Sequence, residues 1–186
     1  SLPDSESDTK DVTGSVAGVI GIDALSLTGA EYSASRYNAE IGGTIPETAA
    51  GNVKAAAELT NRNIEQGAII TLSEHMPNFS VVPEREGYDP ETEPQYAKYD
   101  FSGYTPGTLT GDCMNEILPG GLYHEKYNAY LDMIADFASQ VHGRVLFRPF
   151  HENTGSWFWW GAAFCQPPTY RNVWKYTVEY LRDTKK

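Results

Sequence analysis

The sequence predicts an α/β fold built on a parallel sheet, and three observations support that prediction. Short apolar runs alternate with segments that have apolar residues at helical spacing, in the order strand, helix, strand, helix, strand, helix. Each apolar run ends in polar residues, and 40% of the chain is hydrophobic, which suits one globular domain. This alternation is typical of parallel strands joined by right-handed crossovers.

The three predicted strands are residues 16–23 ("VAGVIGID"), 68–75 ("AIITLSEH") and 144–152 ("RVLFRPFHE"). Their apolar residues run continuously instead of alternating with polar ones, which indicates strands buried on both faces.

Three helices are predicted between and after these strands. The first covers residues 51–67, with Asn52 as its N-cap and Gly67 at its end. The second covers residues 125–143 and the third residues 169–183. The apolar faces of the first two consist of Val53, Ala56, Ala57, Thr60 and Ile64, and of Tyr127, Tyr130, Leu131, Ile134, Phe137, Ala138 and Val141.

Residues 76–124 break this rhythm, because they are rich in Pro, Gly, Tyr and Asp and show no sustained period. A connection of this length is either functional or contains short elements that periodicity does not reveal. Both interpretations stay open.

Polar residues follow all three predicted strands: Asp23, the pair Glu74–His75 and the pair His151–Glu152. Ligands bind at the carboxyl ends of parallel strands, so we expect these residues to share one site. Two structural alternatives stand beside this hypothesis. Asp23 could cap the following turn, and His75 could be a hydrogen-bonded core histidine.

Composition excludes several classes of partner. A formal charge of −11 argues against nucleic acid and against anionic membrane surfaces. No apolar run approaches the roughly 18 residues of a membrane span. The acidic start "SLPDSESDTK" lacks an initiating Met and is no signal peptide, so we expect either removal of a preceding segment or a start inside a longer protein.

Known catalytic patterns leave Glu152 as a proton donor or acceptor. A zinc site of the HExxH kind fails because Gly155 stands four residues after His151, and the chain has no G-x-S-x-G motif for a serine nucleophile. The histidines show no ligand spacing, so no metal or cofactor is predicted. Nearby aromatic rings would desolvate the Glu152 carboxyl and raise its pKa towards values useful for a general acid.

Trp157, Trp159 and Trp160 follow this glutamate after a Gly-Ser turn. They are either core residues or the walls of a pocket, and at least one is expected to line the opening beyond the strand. An acid beside aromatic rings that can stack on sugars indicates glycoside chemistry.

The motifs "RPFHE" and "GSWFWWG" resemble the retaining β-mannanases of glycoside hydrolase family 26. The resemblance continues through "TGSVAGVIGID", "TLSEHMPNF", "NEILPGGLYHEKYNAYLDMIADFA" and "TYRNVWKYTVEYLRD", which look like family strands two and three, the approach to helix three, and helix four. It implies a (β/α)₈ TIM barrel, of which residues 1–186 would form part of one catalytic domain.

The resemblance also implies roles for individual residues. Glu152 would be the general acid/base, and Arg148 a charge behind it on the same strand face. The substrate contacts would be His75 and Trp157, with His151 contacting the sugar or the nucleophile. Trp160 would be either a further substrate contact or a core residue.

The chain also departs from the family pattern. Such barrels run to about 250 residues or more, and neither a first strand nor strands five to eight is recognisable here. The family's nucleophile, a glutamate after strand seven, has no counterpart, so it is expected outside these residues. In a barrel, the loops after neighbouring strands would bring Cys113 and Cys165 together, which makes them candidates for a disulfide.

The expected function is therefore a segment of an endo-1,4-β-mannanase that needs no cofactor and is inactive alone. Its partners would be β-mannan and the rest of the barrel, possibly as a second chain, in an extracellular or cell-surface parent enzyme. The alternatives are a non-catalytic polysaccharide-binding protein and a related β-glucanase or xylanase.

Overall fold

A computed structural model describes residues 8–185. Its helices are α1 (Asp8–Thr13), α2 (Leu25–Thr28), α3 (Ala34–Ile41), α4 (Ala49–Glu65), α5 (Cys113–Glu116), α6 (His124–Gln140) and α7 (Pro167–Glu179). Its strands are β1 (Val19–Asp23), β2 (Ile69–Ser73) and β3 (Val145–Arg148). A 3₁₀ turn covers Gln95–Lys98 and a π-helical turn Tyr180–Thr184. Within residues 8–185 no helix is both long and apolar enough to cross a membrane.

The three strands form one parallel sheet in the order β1-β2-β3. Their identity, order and direction are as predicted, but each is shorter. The third strand ends at Arg148, four residues early, because Phe150 and Glu152 have left-handed backbones with φ of 53° and 56°. The expected strand alternation between Arg148 and Glu152 is therefore wrong.

The two faces of the sheet differ in burial. Ile70 and Leu72 are buried, and Ile20 and Ile22 line a small cavity shared with α4. On the other face Val19, Ile69 and Leu146 are 59%, 53% and 57% exposed. The prediction of burial on both faces is wrong for these strands, because alternate side chains are left uncovered.

The predicted helices correspond to α4, α6 and α7, whereas α1, α2 and α3 have no predicted counterpart. The N-cap of α4 is Thr48, whose hydroxyl accepts a hydrogen bond from the Gly51 N–H. Asn52, the predicted cap, lies inside the helix and accepts instead from the Ala34 N–H. Ala138 is exposed although the predicted stripe of α6 included it.

The described chain divides into two compact units. The first contains the sheet and comprises the chain up to Ser73 with Phe137–Arg148; the second comprises residues 74–136 and 149–185. That residues 1–186 belong to a single catalytic domain stays a prediction.

The aperiodic residues 76–124 supply much of the core of the second unit. Phe79 is fully buried there, and its ring meets those of Phe101, Tyr127, Tyr130 and Trp159 edge-on at centroid distances of 5.4–6.3 Å. The segment also contains α5 and the 3₁₀ turn. Short elements hidden in a long connection, one of the two open interpretations, are therefore present.

Replacing Phe79 by alanine should lower the free energy of unfolding by about 3–5 kcal/mol, because it removes a buried ring and leaves a cavity among four others. Urea unfolding followed by circular dichroism measures the change. Phe164→Ala is the matched control, since Phe164 is 40% exposed and should lose little stability. Equal losses for the two variants would contradict the packing described here.

Candidate active site

Two histidines predicted to share a site lie together in the second unit. His75 follows β2 and His151 follows β3, and their ring centroids are 4.5 Å apart in an edge-on arrangement. Both are half-buried. Two chain segments far apart in sequence therefore bring their imidazoles to one place, as the strand-end argument predicted.

Glu152 lies in the turn after β3 and is exposed. Its Oε2 accepts a hydrogen bond of 2.9 Å from the Trp157 indole N–H. The expected enclosure of this carboxyl by aromatic rings is wrong, because Glu152 is exposed and Trp157 meets it through the polar indole N–H. The carboxylate is thus oriented by one donor while facing solvent.

The three tryptophans have different environments. Trp157 is 56% exposed, so its ring is accessible to a ligand. Trp160 is fully buried and donates to the His151 carbonyl at 2.8 Å, so its predicted contact with substrate is wrong and core packing holds. Trp159 is also buried, with its indole N–H on the Met76 carbonyl at 3.3 Å.

Gly155 makes room for the exposed tryptophan. A Cβ at Gly155 would lie 2.4–2.6 Å from atoms of the Trp157 ring, closer than side-chain atoms approach without a shift. The glycine of the "GSWFWWG" motif therefore allows Trp157 to fold back towards Glu152.

Sequence reasoning missed two aromatic members of this cluster. Phe158 lies against both histidines, with ring centroids 5.4 Å from His75 and 5.7 Å from His151. Tyr104, from the aperiodic segment, lies 5.9 Å from His75. The position of Phe158 between tryptophans could have signalled it, whereas nothing around Tyr104 did.

Asp23 and Arg148 belong to the first unit. Asp23 Oδ1 accepts from the Leu25 N–H and Oδ2 from the Ser73 hydroxyl, so the alternative in which it caps the following turn is confirmed. Arg148 ends β3, in register with Ser73, and is exposed. Its role behind the carboxylate stays a prediction.

Glu74, the partner of His75 in its strand-end pair, is 1% exposed and so is not a surface acid. It lies near Tyr127, whose hydroxyl is 2.6 Å from the Thr177 hydroxyl. Burial, and to a smaller extent the charge of Glu74, raise the pKa of Tyr127 well above its ordinary value. Tyr127 is therefore a neutral hydrogen-bonding group at all ordinary pH.

Cys113 and Cys165 are both free and buried, so the predicted disulfide is not formed. The Cys113 thiol is directed to a different partner, the Asn78 side-chain carbonyl at 3.1 Å. The Cys165 thiol approaches the Gln166 carbonyl at 3.5 Å.

Both thiols should resist reaction with thiol reagents in the folded protein, because burial raises the pKa of Cys113 and of Cys165 to about 11. At pH 8 little thiolate forms in the native state, whereas unfolding restores ordinary values near 8.5 and fast reaction. Titration with a chromogenic disulfide reagent, without reductant, should find both thiols only after denaturant is added. No reactive thiol in the denatured protein would instead show that a bridge exists.

An exposed carboxylate beside an exposed indole, with two imidazoles and a further ring nearby, suits the hydroxyl groups and apolar ring faces of a sugar. Residues 8–185 contain no group of three or more His, Cys, Asp or Glu that could hold a metal ion. The fold and the site together describe an α/β protein with a candidate carbohydrate-binding site.

Comparison with known proteins agrees with this class. The model of glycosyl hydrolase family 26 matches residues 4–186, and the chain belongs to that family. A mannan endo-1,4-beta-mannosidase from Bifidobacterium adolescentis is 35% identical over 188 residues, covering 97% of this chain. One from Bacillus subtilis is 34% identical over 94 residues, covering 45% of this chain.

Solved structures show the same relationship. An endo-beta-1,4-mannanase from Cellulomonas fimi superposes with a TM-score of 0.72 and 34% identity, over 96% of this chain and 34% of that one. The catalytic domain of an endo-beta-1,4-mannanase from Bacillus sp. JAMB-750 gives 0.74 and 32%, over 99% and 41%. The predicted fold class is confirmed: the three-stranded parallel sheet is part of a (β/α)₈ barrel.

The chain spans only 16% of the Bifidobacterium protein and 26% of the Bacillus subtilis protein. The chain therefore corresponds to about a quarter or less of the length of these two relatives.

Proposed function

We propose that this chain is the segment of a retaining endo-1,4-β-mannanase that carries the general acid/base, Glu152. The observation that carries the proposal is the pairing of Glu152 with Trp157, an exposed carboxylate held by an exposed indole at 2.9 Å. The names of several relatives, which are mannan endo-1,4-beta-mannosidases, support β-mannan as the substrate.

Because of this hydrogen bond, the two oxygens of the Glu152 carboxylate have different roles. Oε2 is occupied by the Trp157 N–H, whereas Oε1 accepts no hydrogen bond from residues 8–185. The proton is therefore carried on Oε1, from which it passes to the glycosidic oxygen as the bond to the leaving sugar breaks. In the second half of a retaining reaction the same oxygen takes a proton from the attacking water.

The neighbouring side chains bind the sugar that reacts. The exposed face of Trp157 stacks on the apolar face of the mannose ring. His75 and His151 lie as a pair 4.5 Å apart and bind hydroxyl groups of that sugar.

A retaining reaction also needs a nucleophilic carboxylate about 5–5.5 Å from the acid/base. We assign that role to no residue of this chain and propose that the rest of the barrel supplies it. Since β-mannan is too large to enter a cell, the parent enzyme would be extracellular or attached to the cell surface.

The test compares the chain alone with a chimaera in which it replaces the matched segment of the Cellulomonas fimi mannanase. The chain alone should bind mannohexaose weakly at best and release no reducing ends from mannan. The chimaera should hydrolyse mannan with retention, followed by reducing-end release and by NMR of the first-formed anomer.

Three outcomes would contradict the proposal. Hydrolysis by the monodisperse 186-residue chain would show that it contains its own nucleophile. A folded chimaera that binds mannan without cleaving it would favour a polysaccharide-binding protein. Faster cleavage of xylan or mixed-linkage β-glucan than of mannan would assign a neighbouring specificity.

A further inference from the structure

The ring of Phe158 lies at the centre of the site's aromatic contacts. It meets His75 edge-on at a centroid distance of 5.4 Å and His151 at 5.7 Å. On its other side it stacks on Trp160 at 4.5 Å, with 30° between the planes. Phe158 thus links the buried part of the "WFWW" motif to the two imidazoles.

The residues behind Phe158 are buried or hydrogen-bonded. Trp160 is fully buried, and its indole N–H donates to the carbonyl of His151 at 2.8 Å. The Phe158 carbonyl accepts from the Gly161 N–H, also at 2.8 Å. Side chain and backbone of Phe158 are therefore both held in place.

The two histidines lie on different loops, one after β2 and one after β3. A shared ring contact can therefore fix their orientation relative to each other. Tyr104 also lies against His75, but it is 63% exposed and therefore constrains the imidazole less than a buried ring would. Phe158 touches both imidazoles at once and so couples their orientations.

We propose that Phe158 is a positioning residue that holds His75 and His151 in the arrangement in which they bind the reacting sugar. This inference rests on the proposed function for its substrate, but the ring arrangement itself can be tested without one. Phe158 acts through the histidines and not by contact with the reacting atoms.

NMR of the full chain gives the first test. Nuclear Overhauser effects should connect the Phe158 ring protons to the ring protons of both histidines in the wild-type protein. Phe158→Leu should weaken the Overhauser effect between the ring protons of His75 and His151 and leave the signals of His124, which lies against Tyr176. Phe158→Tyr should restore the wild-type pattern, and Phe164→Leu, the matched control at an exposed ring, should not change it.

Binding of mannohexaose by calorimetry gives the second test. Loss of the ring contacts to His75 and His151 should raise the Kd of Phe158→Leu by about tenfold, with Phe158→Tyr near wild type. Absence of the wild-type Overhauser effects would overturn the inference, and this arm needs no variant that folds. Loss of the Overhauser effect between His75 and His151 with an unchanged Kd would also overturn it. If the wild-type chain binds mannohexaose too weakly to measure, the Overhauser effects alone decide the role of Phe158, and the chimaera decides the proposed function.

Discussion

Replacing Glu152 by alanine in the chimaera should slow hydrolysis of mannan by about 10²–10⁴-fold, the range in which general acid catalysis contributes. The variant lacks the carboxyl group that would donate the proton. The leaving sugar must then depart without protonation. An aryl mannoside with an activated leaving group should suffer less in the glycosylation step, because it departs readily as an anion. Initial rates on both substrates measure the contrast.

The second His-Glu pair of the chain provides a matched control. Glu125 follows His124 as Glu152 follows His151, but it is exposed on α6. Glu125→Ala should leave both rates unchanged. Near-normal hydrolysis of mannan by Glu152→Ala would show that another residue is the acid.

Replacing Trp157 by alanine should raise the Kd for mannohexaose by about 10–100-fold, equal to about 1.4–2.7 kcal/mol of binding free energy. The variant loses the stacking surface for the sugar and also the N–H that orients Glu152. Because Trp157 is 56% exposed, the melting temperature should stay close to that of the parent.

Two further variants separate these effects. Trp157→Phe keeps an aromatic face but removes the N–H donor, so binding should be largely retained while kcat of the chimaera falls. Trp174→Ala removes an indole that is 40% exposed on α7, and it should change neither the Kd for mannohexaose nor kcat. A large fall in melting temperature for Trp157→Ala, without a change in Kd, would make Trp157 a structural residue.

The order of strands and helices was predictable because each long element has its own period. Continuous apolar runs marked β1, β2 and β3, and regular stripes marked α4 and α6. Exposure of Val19, Ile69 and Leu146 was not predictable, because an apolar run does not say what covers each face. The caps were also uncertain from sequence, since both Thr48 and Asn52 are good N-cap residues.

Part of the candidate site was predictable from the sequence, but Phe158, Tyr104 and the geometry were not. Strand-end position and the HE and "WFWW" motifs pointed to His75, His151, Glu152 and Trp157. Burial of Trp160 and the central place of Phe158 depend on how consecutive rings turn, which a run of four aromatic residues does not determine. The end of β3 at Arg148 depends on left-handed residues that carry no glycine signal.

Glu152, the proposed acid/base, has a left-handed backbone with φ of 56°, a conformation that costs stability for a residue with a side chain. A residue with a Cβ pays about 1–2 kcal/mol to adopt it, whereas glycine does so freely. Selection for thermal resistance alone should therefore favour glycine at this position, and Glu152→Gly should melt at a higher temperature than Glu152→Ala. Persistence of a glutamate there would then reflect selection for catalysis against the preference of the fold.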